Sequence, residues 1–521
     1  MIRKYWNTIR FLKSKQIFYR LFYFFKKKLK QENNLLVLPS TVKPQLIKAL
    51  NFLPNRQSYS AENEFLFLNI KHQFRDKIDW NFNEFGKLWT YNLCYFDFLL
   101  QEQLTKEQGL SLILDFKANY SQVKDGLESY PSSLRVMNCV KFICKHQLKD
   151  EALDQLIYSD VIRLSNNLEF HLLGNHLLEN AFALLSGAIY FNDEVLFRKA
   201  EKLLLQELEE QILADGGHYE LSPMYHQIIS SRMLDSISLL GKYELVNASE
   251  IKNILLRKAE EMLAWLKAIT FNSGDIPLLN DSARNIAHNS VEIMEYASKL
   301  SINIPETELN ESGYRKRTGT NYEFVCDVGH IGPDYIPGHA HSDTFNFVLN
   351  YKNKALIVDT GISTYEKNDL RHSERVTSAH NTVMVNATEQ SEIWGGFRVG
   401  RRAYVTMLEE DANKIRAEHN GYKQFGIMHQ RSYSFLDGNI FIKDELSKAC
   451  KAKAFIHFHP DVTVGQKENK ILGDFGEIKV IGFDKVTLKK YNFAQEFNKQ
   501  VEAMVVEIDF TKELKTEIYL A

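Results

Sequence analysis

The chain has 521 residues, of which 44% are hydrophobic, 25% charged and 12% aromatic. That length implies two domains or more, and the composition excludes a disordered or fibrous protein. The 64 Lys/Arg and 66 Asp/Glu nearly cancel, so no global charge points to a nucleic-acid binder.

The balance is uneven along the chain. Residues 1–30 hold ten Lys/Arg and no Asp or Glu, which leaves 54 basic against 66 acidic residues in the remainder, a net of −12. In this leader Tyr5, Trp6, Phe11, Phe18, Tyr19 and Phe22–Phe25 alternate with Lys and Arg. Its longest apolar run, Leu21–Phe25, is closed by Lys26-Lys27-Lys28, too short for a secretory signal, and no 18-residue apolar stretch suggests a transmembrane helix. Two readings stay open for residues 1–30: an interfacial helix on an anionic membrane surface, or an amphipathic first helix packed on the body.

From about Ser60 to Leu300 the spacing is helical. In Val195–Leu213 apolar residues fall at 196, 197, 200, 203, 204, 208 and 212, one face of a 3.6-residue period. Glu179–Phe191 and Ile251–Ile269 repeat the pattern, with breaks at Asp215-Gly216-Gly217 and Asn272-Ser273-Gly274-Asp275. After Ile304-Pro305 the segments shorten and turn β-branched or aromatic, as in Ala355–Asp359, Asn381–Val385 and Ala454–His459. Asp437-Gly438 between Arg431–Phe435 and Ile440–Asp444 predicts a hairpin. The expected fold class is multidomain α+β: helical hairpins, then an antiparallel β domain, with the switch near residue 308. The five cysteines show no CxxC spacing and are expected as buried thiols.

Histidines gather in two windows, one on each side of that switch: His171, His176, His218 and His226, then His330, His339, His341, His372 and His380. A site at the junction would draw on both. On a helix, His176 and Glu179 share a face, so Glu179 could fix the His176 tautomer; the alternative is an ordinary buried pair. The turn from Asp215 through Gly217-His218-Tyr219-Glu220 to Tyr225-His226 places several functional groups between two helices. A tyrosine there could exchange protons if nearby cations lowered its pKa. In a strand, His339 and His341 of Gly338-His339-Ala340-His341-Ser342-Asp343 point the same way, with Asp359 and His380 downstream as further possible zinc donors. No Gly-x-Ser-x-Gly elbow or phosphate loop occurs. Asp215, Glu220, Asp275 and Asp281 offer carboxylates for a hydrolase, with nothing to select a pair.

Taken in order, Leu88-Trp89-Thr90-Tyr91-Asn92-Leu93-Cys94-Tyr95-Phe96-Asp97, Asn175-His176, Gly217-His218-Tyr219-Glu220, Gly338–Asp343 and Ile393-Trp394-Gly395-Gly396-Phe397-Arg398-Val399 resemble the heparinase II/III family of polysaccharide lyases, over roughly residues 85–460. The resemblance implies an N-terminal incomplete α/α toroid followed by a C-terminal antiparallel β-sandwich, divided as leader 1–45, toroid 46–308 and sandwich 309–521. It implies β-elimination at a uronic acid of an acidic polysaccharide. Such a reaction must neutralise the sugar carboxylate before the C5 proton leaves, because a second negative charge develops beside it. By this likeness Asn175 and His176 bind the carboxylate with Glu179 in support, and Tyr225 and His339 are the acid/base pair, in either order. His218, Glu220, His226 and Arg398 would contact substrate, and His341, Asp359 and His380 would hold a structural zinc. Secreted degradative members carry a signal peptide. The basic-aromatic leader found here instead suggests a bacterial envelope or capsule glycan, and a cytoplasmic or membrane-peripheral location. Two other functions stay open: a non-catalytic peripheral membrane protein that handles a glycan, or a glycoside hydrolase on the same scaffold.

Overall fold

The computed structural model describes residues 2–28, 33–48, 50–60, 62–243 and 248–521. The leader forms helices α1 (Ile2–Ile9) and α2 (Ser14–Lys28). The helical region then runs through α3 (Lys87–Tyr95), α4 (Lys106–Asn119), α5 (Ser129–His146), α6 (Glu151–Asn166), α7 (Gly174–Phe191), α8 (Glu194–Gln211), α9 (Pro223–Leu240), α10 (Ala248–Ile269) and α11 (Ser290–Lys299). Local chemistry sets many of these starts. Thr105 and Gln108 form a reciprocal capping box on α4, as do Asn289 and Glu292 on α11. Asp150 and Asp193 cap α6 and α8, and Ser222 caps α9 with Pro223 in its first turn.

One stretch expected to be helical is not. Tyr59–Ser60, Glu64–Phe67 and Ile70–Gln73 form a three-stranded antiparallel sheet. Phe65 and Phe67 are buried while Leu66 between them is exposed, a period of two rather than 3.6. Glu62-Asn63 and Leu68-Asn69 turn the chain at positive φ.

Beyond residue 313 the structure is antiparallel β. One four-stranded sheet comprises Tyr314–Thr318, Tyr322–Asp327, Phe347–Tyr351 and Lys354–Ile357 in that order. A second runs Lys485–Glu496, Lys499–Phe510, Ala452–His457 and Val383–Val385. The largest, of eight strands, begins Val405–Glu410, Lys414–His419, His429–Leu436, Asn439–Leu446, Glu513–Leu520 and ends on the edge strand Gly465–Lys467. The expected hairpin forms: Leu436 pairs with Asn439, and Asp437 and Gly438 between them have φ of 51° and 76°, as a type I′ turn requires.

Two apolar cores result. The first fills the helical region around α7, which is buried along nearly its whole length, and takes in Tyr314, Val325, Val348, Ile362 and Phe497 from the β part. The second is enclosed by the three large sheets, with Phe324, Leu349, Tyr433, Ile456 and Val506 among its members. Because the first core crosses the α/β switch, the helix ends facing it are held firmly against the β loops. Cys94, Cys139, Cys144 and Cys326 are buried free thiols and Cys450 is half-buried. Burial raises all five thiol pKa values, which makes them poor nucleophiles.

Candidate active site

At the junction, the N-terminus of α7 presents Asn175 and His176, the first turn of α9 presents Tyr225, and the loop after residue 278 presents Asp281. From the β side come His339, Tyr365 and Arg371, the last on a short helix, α12 (Asp369–Ser373). The rings of Tyr225 and His339 lie 4.0 Å apart. Asn175 Nδ2 stands 3.4 Å from His339 Nε2 and donates to Glu220 Oε2 at 2.8 Å. Residues separated by 164 positions in the chain thus share one small volume.

Asp281 organises the β side. Its carboxylate accepts from both terminal nitrogens of Arg371 at 2.5 and 2.6 Å, and it lies 2.9 Å from His339 Nδ1 and 2.9 Å from His341 Nε2. Burial alone would raise the Asp281 pKa, but the Arg371 charge and the two imidazole hydrogen bonds hold it well below the usual carboxylate range. This permanent anion orients the His339 ring through Nδ1 and turns Nε2 toward Asn175 and Glu220, each 3.4 Å away. The sequence offers Asp281 only as one of four carboxylates; its contacts with Arg371, His339 and His341 exist only in the folded chain.

Glu179 is not the partner of His176. It is buried against Arg232 of α9, 3.2 Å from that guanidinium, whereas His176 Nδ1 lies 3.1 Å from Glu169 Oε1. Packing of α7 on α9 brings Arg232 to Glu179, and a buried carboxylate pairs with the cation in reach. Burial pulls the His176 pKa down, but Glu169, with Glu220 and Glu179 behind it, makes the net shift upward. His176 is the more exposed of the two and has the Tyr130 ring 4.6 Å away.

Tyr225 also departs from expectation. Burial raises its pKa, the Tyr365 hydroxyl at 3.4 Å opposes this, and Asp281 and Glu220 add to it. The Arg371 charge also pulls it down, but less than any of these, and the net shift is upward. The resting side chain is a neutral phenol.

His218 and His226, expected as substrate contacts, are sealed from solvent. His218 Nε2 lies 3.0 Å from Gln211 Oε1, and His226 Nε2 donates to the Met262 carbonyl at 2.9 Å with its ring 4.4 Å from Trp265. Burial pushes their pKa values down to about 4 and about 3. Both brace the turn that carries Tyr225. Glu220 is buried too; it holds Asn175 through the backbone N–H and the side-chain amide, both at 2.8 Å. Arg398 is exposed with its guanidinium 4.7 Å over Trp394, and its neighbour Phe397 is the residue beside His339 and Arg371.

Beneath His339 lies a buried polar cluster. His341 contacts Asp281, His380 Nδ1 lies 2.7 Å from Asp359 Oδ2, and the two imidazole rings are 5.2 Å apart. His341 Nδ1, His380 Nε2 and Asp343 Oδ2 are buried with no hydrogen-bond partner. Asp359 is already engaged by His380, Asn346 and the Gly361 N–H. Among the described residues no three His, Cys, Asp or Glu side chains converge as a ready-made metal centre.

With this geometry in hand, comparison with known proteins gives a clear family. Residues 133–306 match the heparinase II/III N-terminus and residues 303–518 the heparinase II/III-like C-terminal domain. The chain belongs to the heparinase II/III family. It is 24% identical over 319 residues to a heparin-sulfate lyase of Bacteroides stercoris, covering 55% of this chain and 45% of that protein. It is 23% identical over 364 residues to the FtsZ-localized protein C of Caulobacter vibrioides, 65% of this chain and 60% of that protein. The chain therefore spans less than two thirds of the length of these relatives. Among solved structures, a heparinase III superposes with a TM-score of 0.68 at 14% identity, covering 86% of this chain and 80% of that one. The heparan sulfate lyase HepC of Pedobacter heparinus gives 0.56 at 16% identity, with 88% and 82% covered. At such identities the likeness is one of fold: a helical N-terminal region and C-terminal antiparallel sheets.

Proposed function

We propose that the protein is a polysaccharide lyase that cleaves a uronic-acid-containing glycan by β-elimination, with the helical region read as an incomplete toroid and the β part as a sandwich, divided near residue 308. The observation that carries this is the Tyr225–His339 ring pair at 4.0 Å with Asn175 against His339 Nε2. Asn175 and a protonated His176 bind the uronate carboxylate, so that charge delocalised onto it from C5 is stabilised. His339 Nε2, which the Nδ1–Asp281 contact orients toward the substrate, takes the C5 proton. Tyr225, neutral at rest, gives its proton to the O4 leaving group, and the bond to O4 breaks as the C4–C5 double bond forms. The product is unsaturated and no water is added, which separates a lyase from a hydrolase.

Tyr225→Phe and His339→Ala are each expected to lower kcat by about two to four orders of magnitude, read as absorbance of the unsaturated uronate. A substrate whose C4 leaving group needs no proton should restore Tyr225→Phe but not His339→Ala. Saturated products only, from a panel of uronate polymers, would end the lyase reading. The basic-aromatic leader favours a bacterial envelope or capsule glycan as the polymer.

We also propose a structural zinc. The unpartnered nitrogens of His341 and His380 have the donor chemistry for it, with an aspartate completing the set: Asp359, which orients His380, or Asp343, whose Oδ2 is free. A zinc there would stiffen the segment that holds His339. Metal analysis of protein purified without chelator should find about one zinc per chain, lost in His341→Ala; a content near zero would remove it.

A further inference from the structure

The two faces of the leader meet different surroundings. Along α2, Gln16, Tyr19, Tyr23 and Lys26 recur every three or four residues and face the body. Gln16 Nε2 donates to the Leu172 and Tyr335 carbonyls at 3.1 and 3.3 Å, and the Tyr23 hydroxyl donates to the Leu168 carbonyl at 2.5 Å. The Tyr19 ring lies 4.7 Å from Phe170, and Lys26 Nζ donates to the Asn166 carbonyl at 2.8 Å. α1 is held at Thr8, which donates to the Val399 carbonyl and accepts from Trp394 Nε1, and Phe11 lies 3.6 Å beneath the Arg402 guanidinium. The leader is thus a docked platform that joins the helical region to the β part.

Its outward face is apolar. Trp6, Phe18, Leu21 and Phe25 are 65%, 61%, 56% and 62% exposed, with Ile9, Ile17 and Phe22 beside them. A helix pair that served only to cover the body would turn polar residues outward. Arg3, Arg10, Lys15 and Arg20 are exposed as well, and residues 1–30 hold ten Lys/Arg and no acid; Lys13 pairs with Glu210 of the body. Large aromatics flanked by cations match the headgroup boundary of an anionic bilayer, where rings enter the interface and lysines meet phosphate. No helix among the described residues is long and apolar enough to cross a membrane, so the contact is one of surface.

We propose that the outward face of α1 and α2 seats this protein on an anionic lipid surface. α2 rests on Leu168–Leu172, immediately before Asn175 and His176, and on Tyr335, four residues ahead of His339. The platform therefore sets the candidate site beside the bilayer, within reach of glycan chains attached to it. This goes beyond the lyase reading and does not depend on it.

The test is flotation of the full-length protein with vesicles of phosphatidylcholine alone or with about one third phosphatidylglycerol. Binding to the anionic vesicles is expected to exceed that to the neutral ones by ~tenfold or more and to fall steeply at high salt. The triple variant Trp6→Ser, Phe18→Ser, Phe25→Ser should lose ~tenfold or more of that binding with an unchanged thermal midpoint, and Phe25→Ser alone, at the helix end, should shift it the same way. Equal binding to both vesicle types, or full binding by the variants, overturns the proposal. So does a dimer in light scattering that the variants dissolve, which would assign the face to a second copy. Capture by soluble uronate polymer without vesicle binding would assign it to the glycan.

Discussion

His176 shows how a single side chain acquires its chemistry from a residue that sequence spacing did not select. Helical periodicity put Glu179 on its face, yet Glu169, in the loop before α7, makes the contact, while Arg232 takes Glu179. The distinction matters for pH. The His176 pKa is raised in the fold, so its positive charge is present at low pH and is lost as pH climbs through that raised value. Substrate binding through the uronate carboxylate should therefore weaken as pH rises above the ordinary histidine range, seen as an increase in KM. His176→Gln should flatten that dependence, and a KM profile identical to wild type would take His176 out of the site. Tyr225 teaches the converse lesson: its position in the turn was legible, but its protonation is set mainly by burial at the junction, with Asp281 and Glu220 adding to the rise.

Among the elements, the start of α7 carries Asn175 and His176 and tolerates little change. Leu173 and Gly174 both have positive φ, 69° and 62°, and a Cβ on Gly174 would lie 2.3 Å from Glu220 Oε1 and 2.8 Å from Ile336 Cδ1. Gly174→Ala should lower stability by about 1–2 kcal/mol through backbone strain alone, and also reduce kcat by pushing Glu220 off Asn175. Gly438→Ala in the hairpin turn is the control: φ is 76° but nothing lies within 4 Å of the added atom. It should show a similar loss in thermal unfolding and unchanged turnover; equal kcat for both variants would show that Gly174 does not position Asn175. The hairpin could be read from Asp-Gly between alternating residues because a two-residue turn is a local event. The small sheet at 59–73 was missed because its strands are four residues or shorter, below the length at which a period of two stands out from a helical background.

For the molecule as a whole, the change from helical to strand period near residue 308 was visible because hydrophobic spacing is a property of contiguous residues. So were the histidine windows on either side of it, the buried character of most of the thiols and the charge difference between leader and body. Asn175, His176, Tyr225 and His339 could be named from a resemblance, and the fold brings them together. What only the tertiary structure decided are the partners: Asp281 with Arg371, His339 and His341, Glu169 with His176, Glu220 with Asn175, and the burial of His218 and His226. Each of these depends on which chain segments meet across a core that runs through the α/β switch. Local sequence determines the period of an element and its ends, whereas the environment of a charge is set by whatever packs against it from distant parts of the chain. The same reasoning applies to the leader, whose sequence left membrane and body as alternatives. Docking assigns one face to the body and leaves the other, aromatic and with exposed Arg and Lys, turned outward.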